Sequence, residues 1–180
     1  LTRTVMAMAI LGLVAVPLGL KLKPVNIGAV VARSTIHGLA MVIYFGALAF
    51  LPVALVAAGL FTAPIFVLLI SRFAYGETIR TTGVVAVVLG FAGAVLVLGP
   101  EAWTGASLPA LLPVIAGALY AMGNVATRKW CPGESAEALL AGFFLALGVI
   151  GLIGTVGLAL FPMADVPGAE GFLQRGPVWP

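Results

Sequence analysis

Two side chains able to do chemistry, Arg33 and His37, stand four residues apart in the apolar stretch RSTIHGLAMVIY. At this spacing they share one face of a helix, and Tyr44, seven residues past His37, lies on nearly the same face. A guanidinium binds anions, and an imidazole, with a reference pKa of about 6.5, exchanges a proton near neutral pH. Because polar groups are costly in hydrocarbon, both residues need an explanation.

Two roles fit each residue. Arg33 lies about a turn and a half inside its predicted helix end. There it either snorkels to the headgroups and fixes orientation, or acts as a gate or contacts an anionic substrate. His37 lies deeper, where it is either a neutral imidazole bonded across helices or a cavity residue that binds substrate or carries a proton.

Three further residues are candidates for a cavity. Pro64 interrupts FTAPIFV in mid-span and removes a backbone hydrogen bond. It is either a passive kink or a cavity residue that acts as a hinge or as backbone lining. Tyr120 and Asn124 are four residues apart on one predicted helix, and interhelical hydrogen bonding is the alternative role for such an asparagine.

Charged residues lie at and near the Gly76-Glu77 pair. Gly76 suits a left-handed helix terminus, and Glu77 is near the start of the next predicted helix, where negative charge is favourable. Arg72 and Arg80 are potential partners of Glu77. We expect a structural or gating role for this group rather than substrate binding.

The composition is that of an integral membrane protein. Of 180 residues 62% are hydrophobic and 8% are charged, whereas a soluble domain carries about 25% charged residues. The single cysteine, Cys131, excludes an internal disulfide and a cysteine-cluster metal site, and we expect no metal or cofactor. No basic run with interleaved aromatic residues predicts nucleic-acid binding, and no phosphate-binding loop predicts ATP-driven pumping by this chain.

Length and charge divide the chain into spans. Residues 34–71 carry no formal charge. As one helix they would extend roughly 57 Å, nearly twice a membrane core of about 30 Å, so the chain folds back at Pro52. We predict no strand and six helices, near Leu1–Leu20, Ile27–Leu51, Val53–Phe73, Thr82–Leu98, Leu108–Thr127 and Ala138–Phe161.

The basic residues predict the orientation. With alternating loops, seven of the nine Lys/Arg residues fall on one side, which we predict to be cytoplasmic, and only Arg3 and Arg175 on the other. The present N-terminus then lies outside, and we expect the chain to belong to a longer protein. Rows of small residues at four-residue spacing, such as Ala86, Gly90 and Ala94, predict tight helix packing, and a homodimer is compatible with the sequence.

The region from Arg33 to Pro100 resembles the EamA-like family of the drug/metabolite transporter superfamily. The family pattern is a basic residue that opens one helix, a Y/F-x-A-L segment, a tight turn, a helix with a central proline, a Gly-Glu pair and a Gly-rich helix. The matching elements are Arg33, Tyr44–Leu48, Pro52, Pro64, Gly76-Glu77 and Thr82–Gly99.

This resemblance implies a ten-helix bundle of two inverted five-helix repeats, of which the chain holds the second to seventh helices. Residues 1–100 would form the first repeat without its first helix. Residues 101–180 would begin the second, with two helices and an extracytoplasmic loop. The implied function is a secondary, non-enzymatic exporter of small polar metabolites such as amino acids, which works by alternating access in a bacterial-type cytoplasmic membrane.

Two other functions stay open at this point. A non-transporting membrane subunit is compatible with the small-residue faces alone. An intramembrane enzyme would need a nucleophile with a base or a metal set, and one histidine, one cysteine and no deep carboxylate do not supply it.

Overall fold

The computed structural model describes residues 2–49, 51–98 and 108–160, and in these residues every regular element is a helix. A 3-10 turn, Leu108–Leu111, precedes the sixth of seven α-helices: α1 Thr2–Leu18, α2 Ile27–Ala47, α3 Val53–Leu60, α4 Ala63–Tyr75, α5 Thr81–Leu98, α6 Leu112–Trp130 and α7 Ala136–Leu160. The predicted all-helical, polytopic class is confirmed.

Four stretches of the described chain are long and apolar enough to cross a bilayer: Ile27–Ala47, Val53–Tyr75, Pro109–Trp130 and Ala136–Leu160. The two other predicted spans correspond to α1 and α5, which contain the shorter apolar stretches Thr4–Ala15 and Thr81–Gly93. The predicted loop after residue 160, the turn after residue 98 and Arg175 lie outside the described residues.

The chain turns at Pro52, as predicted. Helix α2 ends at Ala47, the N–H of Leu51 donates to the Ala47 carbonyl at 2.9 Å, and Pro52 caps the start of α3. The proline has no N–H to continue α2, so the apolar run becomes two spans instead of one over-long helix.

The next span is divided into two helices beside Pro64. The sequence predicts an interruption inside a single helix instead. Helix α3 ends at Leu60 and α4 begins at Ala63, so Pro64 is the second residue of α4. The N–H groups in the first turn of a helix have no intrahelical partner in any case. The break therefore places the proline where its missing N–H costs least.

The chain forms two compact units, residues 1–39 with 126–180 and residues 40–125. In the first unit α1 packs on α7, and α2 approaches α7 closely: a Cβ built on Gly142 would lie 2.6 Å from Val30 Cγ1. In the second unit α3 packs on α5 and on the 3-10 turn, and α4 packs on α5. This division does not test the predicted repeat boundary near residue 100, which stays a prediction.

A close helix approach in the second unit joins α3 to α6. A Cβ on Gly59 would lie 2.1 Å from Pro113 Cβ, and a Cβ on Gly117 would lie 2.5 Å from the Gly59 carbonyl oxygen. Only glycine permits this backbone contact, which is typical of helix packing in membranes. On α5, by contrast, a Cβ on Gly90 or Gly93 has no described atom within 4 Å, so the predicted packing face of that helix has no neighbour here.

Candidate functional site

A cavity of about 530 Å³ lies beside the break between α3 and α4. We call it the break cavity. Its walls are the two halves of the broken span, α5 and α6. The lining residues are Leu60, Phe61, Ala63, Pro64, Val67, Leu68, Gly83, Val87, Tyr120 and Asn124. Three of the five cavity residues predicted from the sequence, Pro64, Tyr120 and Asn124, therefore lie on one cavity.

The polar side of the break cavity comes from α6. Tyr120 and Asn124 are one helical turn apart, which puts both on the same face. Tyr120 is half-buried and Asn124 is exposed. A phenol and an amide each donate and accept hydrogen bonds, and neither carries a charge near neutral pH. This wall can therefore bind a polar group of a solute, although it has no charge with which to hold a counterion.

Arg33 lies in the other unit, where its guanidinium joins three helices. From α2 its Nε donates to Thr127 Oγ1 on α6 at 2.7 Å, and its Nη1 donates to the Leu139 carbonyl on α7 at 3.0 Å. The planar fork of arginine suits two acceptors at fixed and different directions. The half-buried Arg33 thus cross-links helices that are about 100 residues apart in sequence.

His37 is buried one turn further along α2, with 5% of its surface exposed. Its Nδ1 lies 3.2 Å from the Arg33 carbonyl, and its ring meets the Phe143 ring edge-on, with centroids 6.4 Å apart. A carbonyl only accepts, so Nδ1 carries the hydrogen in the neutral ring and Nε2 carries the lone pair.

Between these two residues Ser34 is completely buried, and its hydroxyl has no hydrogen-bond partner among the described residues. A Cβ on Gly142 of α7 would lie 3.0 Å from this oxygen. Sequence reasoning missed Ser34, because one serine in an apolar helix is an ordinary packing residue.

A second polar contact in this unit, which we call the loop clasp, joins the α1–α2 connection to the α6–α7 connection. The Glu134 carboxylate accepts from the N–H of Val25 at 2.9 Å and of Asn26 at 2.6 Å. The Ser135 hydroxyl donates to the Lys21 carbonyl at 2.7 Å and accepts from the N–H of Ala138 at 3.1 Å, which caps α7. Glu134 thus places a negative charge at the start of α2, where the helix dipole favours it.

Cys131 lies just before the loop clasp and is buried. Burial raises the pKa of its thiol; the nearby Arg33 charge lowers the pKa and the Glu134 charge raises it. Because the thiolate is the reactive form, the raised pKa makes this cysteine a poor nucleophile at neutral pH. In the described part of the chain no cluster of three His, Cys, Asp or Glu side chains could hold a metal ion.

Replacing Glu134 with alanine should open the loop clasp locally. Two bonds to a charged acceptor are lost, so the exchange of the Val25 and Asn26 amides should accelerate by about tenfold or more in hydrogen-exchange mass spectrometry. Glu137→Ala removes the same charge in the first turn of α7 and should change exchange at these amides by less than about twofold. Equal exchange in the two variants would contradict the assigned bonds.

The remaining predicted residues lie elsewhere. Tyr44 is half-buried on α2 and meets Phe45 edge-on, with centroids 5.4 Å apart, and it is not part of the described lining of the break cavity. Arg72 and Arg80 are exposed, and Glu77 is half-buried. Gly76 ends α4 in the left-handed conformation, φ 64° and ψ 18°, and the N–H of Glu77 donates to the Ser71 carbonyl at 3.1 Å. This geometry is that of a glycine helix terminus.

The comparison with protein families decides the class of protein. The model of the EamA-like transporter family matches residues 1–99, more than half of the chain. The chain belongs to the EamA-like transporter family. This EamA-like chain is therefore a multi-pass membrane transporter, and its family membership implies a lipid bilayer around it and a small-molecule substrate. Neither a curated protein nor a solved structure matches the chain.

Proposed function

We propose that this protein is a secondary transporter that exports small polar metabolites such as amino acids across a bacterial-type cytoplasmic membrane. It works without ATP hydrolysis, by exposing one binding cavity alternately to each side. The observation that carries the proposal is the break cavity: a span of 23 residues is interrupted in its middle, and the interruption lines a cavity. Irregular backbone at membrane depth occurs where it lines a cavity or is covered by protein.

The proposal is tested by counterflow in proteoliposomes that contain the full-length protein and no nucleotide. Vesicles are loaded with one unlabelled amino acid or related metabolite, and uptake of the same labelled solute is followed. We expect transient accumulation above the external concentration for at least one solute, because a carrier exchanges solute without net energy input. A non-transporting subunit would give the same uptake as protein-free vesicles for the whole panel.

The loop clasp is the contact best suited to act as a gate in this mechanism. Three exposed hydrogen bonds join the two helix connections, two to Glu134 and one from Ser135, and solvent-exposed contacts of this kind open at a low free-energy cost. The bonds of Arg33 lie one to two turns deeper in the same unit. We propose that both sets break when this end of the protein opens, and that they reform when it closes.

His37 is the candidate for coupling transport to protons, because it is the only histidine in the chain. If His37 carries the coupled proton, both His37→Ala and His37→Asn should remove the pH dependence of uptake between pH 5.5 and 8, near the histidine reference pKa of about 6.5. His37→Asn keeps a donor toward the Arg33 carbonyl, so a purely structural histidine would instead be rescued by asparagine. An unchanged pH profile in either full-length variant would contradict the coupling role.

A further inference from the structure

The backbone at the helix break is rich in hydrogen-bond acceptors. In a continuous helix the Leu60 carbonyl would accept from residue 64, but Pro64 has no N–H. The Phe61 carbonyl would accept from Ile65, yet the Ile65 N–H donates to the Thr62 carbonyl at 3.0 Å. Two carbonyls thus lose their helical donors, and both belong to residues that line the break cavity.

The same break offers few donors in return. The N–H of Thr62 donates to the Gly59 carbonyl at 3.1 Å, and the Thr62 hydroxyl donates to that same oxygen. At the start of α4 the proline removes one of the N–H groups that a helix N-terminus normally presents. Leu60 and Phe61 also lie at the C-terminal end of α3, where the helix dipole adds partial negative charge. This wall of the cavity therefore favours a donor over an anion.

The rest of the lining has the same preference. Tyr120 and Asn124 supply neutral polar groups, the other side chains are apolar, and none of the ten described lining residues carries a charge. A carboxylate that entered would lose its hydration without gaining a cationic partner from this lining, which is costly in a medium of low dielectric constant. An amide or hydroxyl group would exchange its water contacts for carbonyl oxygens, while its hydrocarbon part packs on α4 and α5.

We propose that the break cavity selects solutes with an apolar body and an N–H or O–H donor, and that it discriminates against carboxylates. This inference rests on the proposed transport function and narrows its substrate class to uncharged members of the small polar metabolites, so that a free amino acid, whose carboxylate is ionised, binds less tightly than its amide. The donor is bound by the Leu60 and Phe61 carbonyls, and Tyr120 and Asn124 bind the remaining polar atoms of the solute. Pro64 is then a specificity-determining residue, because it keeps the Leu60 carbonyl available.

The test uses three solutes with the same branched carbon chain: 4-methylpentanamide, its methyl ketone isostere 5-methylhexan-2-one, and 4-methylpentanoate. Their apparent Kd values are measured with the purified full-length protein in lipid nanodiscs. We expect the amide to bind about tenfold more tightly than the ketone, which has no donor, and than the carboxylate. Equal binding of amide and ketone, or tighter binding of the carboxylate, would overturn the inference without any variant.

The variant Pro64→Ala tests the carbonyl directly. Alanine restores an N–H at position 64, which allows the span to close into one helix in which this N–H donates to the Leu60 carbonyl, so the ratio of amide to ketone affinity should fall to within about twofold. Pro17→Ala, a proline exposed on α1 and far from the cavity in sequence, should keep the tenfold ratio. A ratio that is unchanged in Pro64→Ala would overturn the role of the proline.

Two further outcomes separate this inference from the proposed function. If counterflow occurs but acidic solutes are preferred, the inference fails and the transport function stands; if no solute in the panel binds or moves, both fail. A solute-free protein that is more stable in sodium chloride than in choline chloride would also overturn the inference. The carbonyls would then coordinate an inorganic cation.

Discussion

Replacing Gly59 with alanine should lower the free energy of unfolding by about 3 kcal/mol, at the upper end of the range for overpacking. The added methyl group would lie 2.1 Å from Pro113 Cβ and 2.5 Å from the Pro113 carbonyl carbon. Backbone atoms cannot turn aside as a flexible side chain does, so α3 and α6 must move apart. Because α3 and α6 form two walls of the break cavity, solute binding should weaken in the same variant.

Gly90→Ala is the matched control for this substitution. Gly90 is also in a helix interior, but a Cβ there has no described atom within 4 Å. Alanine is a better helix former than glycine by about 0.5–1 kcal/mol, so this variant should be neutral or slightly stabilised. Reversible unfolding in detergent micelles measures both variants. Equal stability of Gly59→Ala and Gly90→Ala would show that α3 and α6 do not meet as described.

Replacing Arg33 with alanine should cost about 3 kcal/mol of stability. Two hydrogen bonds of a charged donor are lost, each worth about 1.5–3 kcal/mol, and partial exposure to solvent reduces their sum. Arg33→Lys should recover less than half of the loss, because one ammonium group cannot reach the Thr127 hydroxyl and the Leu139 carbonyl in the geometry of the fork. Arg72→Ala removes an exposed arginine and should change stability by less than about 0.5 kcal/mol.

A double-mutant cycle isolates the bond between Arg33 and Thr127. Thr127→Val keeps the shape of the side chain and removes the hydroxyl that accepts from Arg33 Nε at 2.7 Å. We expect a coupling energy of about 1–2 kcal/mol between Arg33→Ala and Thr127→Val. A coupling near zero would mean that the arginine stabilises the protein without this bond, for example by reaching the headgroups.

The sequence predicts the spans well because length, apolarity and proline act locally. The absence of charge from residue 34 to 71 requires a fold-back, and Pro52 is the one residue near its middle that cannot continue a helix. The exact form of the Pro64 interruption was not predictable in the same way. A proline can kink a helix or end it, and the choice depends on what packs against the freed backbone, here the crossing of Gly59 with Pro113.

The candidate site residues also differ in how far the sequence predicts them, because local spacings are visible in it and contacts between distant residues are not. The four-residue spacing of Tyr120 and Asn124 is visible in the sequence, and the structure places both beside Pro64. The bond of Arg33 to Thr127 and the bonds of Glu134 to Val25 and Asn26 join residues 94 to 109 positions apart. No local pattern encodes such distant pairs. Ser135 is the exception in the loop clasp, because a serine directly before an apolar run is a recognisable helix cap.

The most direct test of alternating access is the reactivity of one cysteine in the break cavity from each side of the membrane. In the full-length protein, Cys131→Ser removes the native thiol and Asn124→Cys places a new one at an exposed lining position. A membrane-impermeant thiol reagent is then applied to either face of oriented vesicles, with the Cys131→Ser protein as the unlabelled control. The account predicts labelling from both faces, with a ratio that changes when a transported solute is present. Labelling from only one face, whether or not solute is present, would contradict it.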